Sequence, residues 1–347
     1  MVNSTQKIRA KAPLRLGLAG GGTDVSPYSD QFGGMVLNAT ISLYAHCSVE
    51  ERTDGRVVID ALDMDAHWEG EAETRLPVDH PLGLLCQAYN RIVRDFCDRK
   101  PFGVTIQTYA DVPPGSGLGS SSTLVVAVLC ALTELKRVAL GEYELAHLAY
   151  EIERVDLGLA GGKQDQYAAT FGGFNLMEFY ANDRVIINPL RLRRGTVSEL
   201  EASLILYYTG RSRSSAAIIE EQVKNVTSGS TKSIDAMHAL KQQSRGMKEA
   251  LLLGNFNRFA DELREGWTAK RAMAHQISSD SIDTVMNTAM EHGALGGKVS
   301  GAGGGGFLMI VSPPERKPTI LRHLKAHGGE IFNSVFTDHG ATAWRVK

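Results

Sequence analysis

The residues that could do chemistry here gather around runs of glycine. Asp111-Val-Pro-Pro-Gly-Ser-Gly-Leu-Gly-Ser-Ser-Ser-Thr123 follows a strand-like run over 103–109 and opens into Leu124–Leu132, apolar and long enough for a buried helix. Gly115, Gly117 and Gly119, alternating around Ser116 and Leu118 after Pro114, allow the backbone positive φ and close approach to a ligand. Ser120, Ser121 and Ser122 place hydroxyls where first-turn N–H groups lack partners, so a polyphosphate cradle is predicted. A serine-capped glycine turn is the plainer alternative, and the triple alternation favours phosphate. The loop contains no G-x-x-x-x-G-K-[ST] and is not a Walker A motif.

A second constellation surrounds Asp165, between Lys163 and Gln166 and just after the glycine turn 157–162. A carboxylate beside a fixed cation stays ionised and can orient or accept a hydroxyl proton. Glu153, on the preceding helix, could serve a hard cation that needs oxygen ligands, although on the residues alone a solvated helix face of Glu153, Arg154 and Asp156 is the favoured reading. Near the N-terminus, Arg15 and Asp24 flank Gly20-Gly-Gly and offer a guanidinium for phosphate or carboxylate and an acceptor for sugar hydroxyls. Arg211 and Arg213 precede a helical tract, as either a second phosphate site or a solvated basic turn.

Lys298-Val-Ser-Gly-Ala-Gly-Gly-Gly-Gly306 contains a formal G-x-G-x-x-G at Gly301, Gly303 and Gly306, but it runs into the strand-like 307–311 rather than a helix. It is therefore no dinucleotide fingerprint, and close passage of two backbones is the simpler reading. The scattered histidines make a zinc site improbable, and no G-x-S-x-G elbow is present.

To position these groups the chain predicts strands at 8–19 (broken by Pro13), 35–38, 43–49 and 57–59, a helix over 81–96, and the strand, loop and helix just described. A helix over 142–156 precedes strands at 173–179, 184–188 and 204–208; three or four helices span 214–291. The end predicts strands at 307–311, 331–336 and 343–346 around a helix near 315–327. Strands, helices and strands again indicate an α+β fold in two lobes, 1–195 and 196–347.

With 43% hydrophobic and 22% charged residues this is a globular composition, and a net charge of −2 with no basic block argues against nucleic acid as a partner. Cys47, Cys86, Cys97 and Cys130 lie in apolar contexts with no C-x-x-C, as in reduced core cysteines. No signal-peptide core or membrane-length apolar run occurs, so a cytoplasmic protein with no membrane partner is expected, as monomer or homodimer.

Taken together, these residues resemble the GHMP kinase superfamily, in three separated motifs spanning Ala12 to about Val311. Pro114–Ser122 looks like the family's ATP-phosphate loop, and Arg15 through Asp24 is similar to its galactokinase-type sugar motif. The resemblance implies an N-terminal ribosomal protein S5 domain 2-like lobe and a C-terminal ferredoxin-like α/β lobe, with ATP and Mg²⁺ required. It implies that Ser121 and Glu153 ligate Mg²⁺, that Asp165 activates the acceptor hydroxyl with Arg15 as its catalytic companion, and that Thr23, Asp24 and Gly303 meet the sugar. The third cluster would pack against the phosphate loop and the substrate.

Ala12–Asp24 and Gly161–Gly173 look most like the bacterial branch acting on the anomeric hydroxyl of D-glycero-D-manno-heptose 7-phosphate, on a route to GDP-heptose and surface polysaccharide. Lys163, Arg211 and Arg213 would hold the 7-phosphate. A sugar 1-kinase for a free sugar such as L-fucose is the nearest alternative, and a nucleotide- and sugar-binding sensor without turnover is the second. Gly22-Thr-Asp-Val-Ser departs from galactokinase, which makes galactose an unexpected acceptor.

Overall fold

The computed structural model describes residues 6–210, 215–274 and 277–347. It opens with β1 (Lys7–Ala19), the short helix α1 (Tyr28–Phe32), β2 (Gly34–Glu51), β3 (Arg56–Ala61), β4 (Ala66–Glu71), α2 (Gly83–Phe96), β5 (Val104–Ala110) and α3 (Ser120–Lys136). Next come α4 (Glu142–Tyr150), a π-helical turn (Glu151–Asp156), α5 (Gln164–Phe171), β6 (Phe174–Phe179), β7 (Val185–Pro189), α6 (Arg194–Ser203) and β8 (Leu204–Tyr208). Helices α7 (Ser215–Thr227), α8 (Thr231–Leu253), α9 (Phe256–Arg271) and α10 (Asp280–Glu291) precede β9 (Gly296–Val299), β10 (Phe307–Val311), α11 (Lys317–Leu324), β11 (Glu330–Phe332) and β12 (Thr342–Arg345).

The larger sheet runs β12-β1-β2-β5-β3-β4, with β6 and β7 branching from β2. The separate runs expected at 35–38 and 43–49 are one strand. β2 pairs with β1 along one edge, while on the other its first half pairs with β6 and its second half with β5. The polar residues between the two runs are covered from both sides, which is what a local pattern of apolar residues cannot reveal. Pro13 does not break β1. It is paired opposite Tyr44 with a register shift just beyond, and β12 pairing stops at Lys11, so no strand on that side asks Pro13 for an N–H.

Helix α3 packs on this sheet. Its Val125–Ala127, Val128, Leu129, Ala131 and Leu132 are all fully buried, leaving no apolar stripe but an apolar cylinder. The second sheet, β11-β8-β10-β9, is antiparallel throughout. In β8, Ile205 and Tyr207 face one apolar layer with α7, α8, α10 and α11, while Leu204, Leu206 and Tyr208 face another that includes β1, β2 and β6. Strand β4 and helix α6 fall where no element was anticipated, and the strand expected over 331–336 ends at Phe332.

We keep 1–195 and 196–347 as proposed lobes, although β12 returns to pair with β1 and the second apolar layer is continuous between them. All four cysteines are free, and burial pushes the Cys86 thiol up to about 12 and the Cys130 thiol up to about 11. No helix among the described residues is long and apolar enough to cross a membrane.

Candidate active site

The glycine-serine loop crosses from β5 to α3, with Gly119 at the helix N-cap position and no side-chain cap. The first-turn N–H groups of Ser120–Ser122 therefore have no intrahelical partner and face a cavity of about 250 Å³ that these serines line. Gly117 has φ +81°, and a Cβ there would stand 2.7 Å from the Ser300 carbonyl oxygen, so the loop and the third glycine cluster meet backbone to backbone. Phe307 N–H donates to the Ser116 carbonyl at 3.0 Å across the same seam. Leu118 points into the core and contributes a carbonyl to Arg15 N–H. Pro114 is exposed, Ser116 is buried, and among the loop residues it is Gly115, Gly117, Gly119 and Ser120–Ser122 that line the cavity.

Asp165 stands in the first turn of α5, over Gly119, whose Cβ would lie 3.0 Å from the Asp165 carboxyl carbon. Its partner is Arg15 of β1: Nε donates to Oδ1 at 2.7 Å and Nη2 lies 2.6 Å from the same oxygen. Arg15 also donates through Nη1 to the Gly117 carbonyl at 2.7 Å. Lys163, expected as the neighbouring cation, instead lies 3.0 Å from Asp183 and 3.8 Å from Asp30, along a second cavity. Residue 163 precedes the helix and 165 lies within it, so two residues of separation turn the side chains to different walls.

Asp24 is buried, and its carboxylate accepts from Gly22 N–H at 3.1 Å, Gln164 N–H at 3.1 Å and Gln164 Nε2 at 3.3 Å. It lines the cavity with Arg15 and Asp165. Thr23, expected to meet the sugar, does not line the cavity. Its hydroxyl is fully buried, bonding with the carbonyls of Gly20 and Met35 and accepting Met35 N–H, which holds the glycine turn. Nor does Gly303 face the cavity; the space a side chain would take there is filled by Ile277, and Gly301 and Ala302 line the wall instead. Arg211 and Arg213 lie outside the described residues.

Glu153 sits on the π-helical turn, 1% exposed, with Oε1 3.4 Å from Ser121 Oγ and Oε2 accepting from Gln166 Nε2. Gln166 also donates to Ser122 Oγ at 3.2 Å, tying the acid to the phosphate loop. The donor set is oxygen, as a hard divalent cation requires, and no cluster of three or more His, Cys, Asp or Glu exists among the described residues. Two protein oxygens that leave the remaining positions to phosphate and water fit Mg²⁺.

Among the cavity residues that escaped the sequence reading, one is charged and buried. Lys270 of α9 is 3% exposed, lines the same cavity and donates through Nζ to the Gly301 carbonyl. Burial pushes its ammonium down to about 8, with Arg15 pushing the same way and Asp24 and Asp165 opposing. Lys298 of β9, buried beside it and donating to the Leu18 carbonyl at 3.3 Å, is held well below the ordinary lysine value by burial and by Lys270 and Arg15. A signal for Lys270 existed: it continues the buried stripe Phe259, Leu263, Gly266 and Trp267, where a lysine is out of place unless used.

The family model for the GHMP kinases N terminal domain matches residues 84–173, and that for GHMP kinases C terminal matches 247–330. The chain is 48% identical to D-glycero-alpha-D-manno-heptose 7-phosphate kinase of Campylobacter jejuni, covering 98% of this chain and 99% of that protein. It is 27% identical to L-fucokinase/L-fucose-1-P guanylyltransferase of Bacteroides fragilis, over 93% of this chain but only 36% of that longer protein. A crystal structure described as a D-glycero-D-manno-heptose 1-phosphate kinase from Bacteroides thetaiotaomicron superposes with a TM-score of 0.84 at 46% identity, covering 98% of this chain and 99% of that one.

Proposed function

Because the chain belongs to the GHMP kinase family, as a sugar kinase of that fold, we propose that it transfers the γ-phosphoryl group of Mg²⁺-ATP to the anomeric C1 hydroxyl of D-glycero-D-manno-heptose 7-phosphate. The observation that carries this reading is one cavity walled by the Arg15–Asp165 pair, the phosphate loop, and Ser121 with Glu153. The 48% identity over nearly the whole of a heptose 7-phosphate kinase supports the acceptor.

The free N–H groups of Ser120–Ser122 at the α3 N-terminus bind the polyphosphate, and the α3 dipole favours its negative charge. Asp165 accepts the C1 hydroxyl proton; Arg15 holds Oδ1, and among the described residues nothing donates to Oδ2, which is left for the sugar. Asp24, fixed by three N–H donors, takes a ring hydroxyl. Ser121 and Glu153 would hold Mg²⁺, and the chemistry it would supply there is neutralisation of phosphate charge. The 7-phosphate lies in the adjoining cavity of about 670 Å³, beside Lys163 and Lys224.

ADP release tests the reading with Mg²⁺-ATP against heptose 7-phosphate, free heptose, L-fucose and no sugar, with Asp165→Asn in parallel. The names of the two heptose kinases differ in the phosphate they carry, so the product is read by phosphorus NMR for a 1,7-bisphosphate. Turnover confined to the 7-phosphate, with kcat falling about 10²–10⁴-fold in Asp165→Asn, is expected. Turnover on L-fucose alone, or phosphorylation at another position, overturns the acceptor; full activity in the variant overturns the base.

A further inference from the structure

The cation count in the cavity does not close with Arg15 alone. A guanidinium has five N–H donors, and Arg15 directs Nε and Nη2 to Asp165 Oδ1, and Nη1 to the Gly117 carbonyl and, at 3.4 Å, to Ser300 Oγ. Arg15 thus orients the base and braces the loop, with little left for a phosphoryl group. Lys163 is turned away and already faces Asp183 and Asp30. Lys270 has three donors and spends one on the Gly301 carbonyl among the described residues. A lysine 3% exposed in a cavity wall is costly to bury, and the carboxylates beside it, Asp24 and Asp165, already accept from Gly22, Gln164 and Arg15, which leaves its remaining donors for a further anion.

We propose that Lys270 is a catalytic residue: its ammonium, brought by α9 from the C-terminal lobe, donates to the oxygens of the phosphoryl group as it passes to the acceptor, while Arg15 positions Asp165. This rests on the kinase reading above and adds a second role to the cavity. Phosphoryl transfer leaves the bond to ADP and forms one to the sugar oxygen, with the hydroxyl proton going to Asp165. Throughout, the equatorial oxygens keep their negative charge, and a fixed cation in a dry site stabilises that charge most in the transition state. The groups facing Lys270 are Arg15 from β1, Asp24 from the loop after it, Asp165 from α5 and Lys298 from β9. With the ammonium held only to about pH 8 in the free enzyme, kcat/KM should fall on the alkaline side of that value.

The test uses the full chain and whichever sugar the panel shows the parent to use, so a wrong acceptor and a wrong role for Lys270 are told apart. Lys270→Met is expected to lower kcat roughly 10²–10³-fold with both KM values changed less than about threefold and the melting midpoint no lower than the parent's. Lys270→Arg, whose charge does not titrate, is expected to keep part of the rate and to lose the alkaline fall near pH 8. A loss confined to the sugar KM, a Lys270→Met rate within about fivefold of the parent, or an unchanged alkaline fall in Lys270→Arg overturns the proposal.

Discussion

If Lys270 is kept for its charge, that charge opposes folding, and removing it should stabilise the protein while it disables the enzyme. The Lys270 ammonium is held to about 8 in the folded chain against an ordinary 10.5. Between those values the unfolded chain binds the proton and the folded chain does not, so stability from this group rises with pH; below pH 8 the full cost is present. At about 1.4 kcal/mol per pH unit that cost is about 3 kcal/mol at pH 7, and it shrinks to roughly half by pH 9.5. Lys270→Met removes it but leaves the Gly301 carbonyl without its donor, a loss of about 1 kcal/mol. The variant should therefore be more stable than the parent by about 2 kcal/mol at pH 7, and the gain should nearly vanish at pH 9.5. Urea unfolding of both proteins at the two pH values, followed by tryptophan fluorescence, reads the difference directly. A variant less stable at pH 7, or a difference that does not change with pH, would refute the reasoning.

Other sites give independent outcomes. Glu153→Gln weakens one of two protein ligands proposed for Mg²⁺, and the Mg²⁺ concentration at half-maximal rate should rise about tenfold or more in a kinase assay, with the ATP-saturated fold unchanged by circular dichroism. Gly162→Ala puts a Cβ 1.9 Å from Asp24 Oδ2; the carboxylate must move, and the sugar KM should rise more than about tenfold while the ATP KM stays near the parent's. Arg91, 7% exposed, binds Asp95 at 2.9 Å, Glu151 at 2.6 Å and Asp156 at 3.0 Å. Arg91→Met leaves Glu151 and Asp156 of the π-helical turn without their arginine, while Asp95 keeps Arg94, and should cost about 3 kcal/mol in denaturant unfolding at pH 7.

What could be read in the sequence was what is contiguous in it. The phosphate loop was legible because strand, glycines, serines and apolar helix follow one another without interruption, and the local chemistry of a free helix N-terminus needs no distant partner. Asp165 stands in the cavity wall that its glycine turn suggested, whereas Glu153, whose neighbours read as a solvated helix face, is buried against Ser121 and Gln166. The residues alone placed Arg15 beside a glycine turn, and only the resemblance joined it to Asp165, 150 residues on, because it is the fold that brings β1 against α5. The assignment of Lys163 to Asp165 mistook neighbours along the chain for neighbours in space, and Thr23 was read as a ligand although its hydroxyl is consumed by its own turn. Lys270 was hidden in a helical tract whose other charged residues, among those described, are not buried, and only its place in the buried stripe of α9 could have marked it.

The site lies on a seam between the proposed lobes, and this explains a pattern that neither half of the chain explains alone. The phosphate loop is fixed at one end by β5 and α3, but its middle is set by the third glycine cluster: Gly117 touches Ser300 and Gly301, and β10 begins with a hydrogen bond to Ser116. Lys270 donates to that same Gly301, so the α9 cation and the loop that is to hold phosphate share one carbonyl-bearing turn. Any shift of the C-terminal sheet relative to β1 would therefore carry Lys270 away from Arg15, Asp165 and the loop, which are joined through the Gly117 carbonyl, and would open the seam where Ser300 and Gly301 meet that loop. Positioning in phosphoryl transfer is a matter of ångströms. The continuous apolar layer joining β1, β2 and β6 to β8, β10, α8 and α9 thus keeps the groups proposed for the donor and the acceptor in one frame.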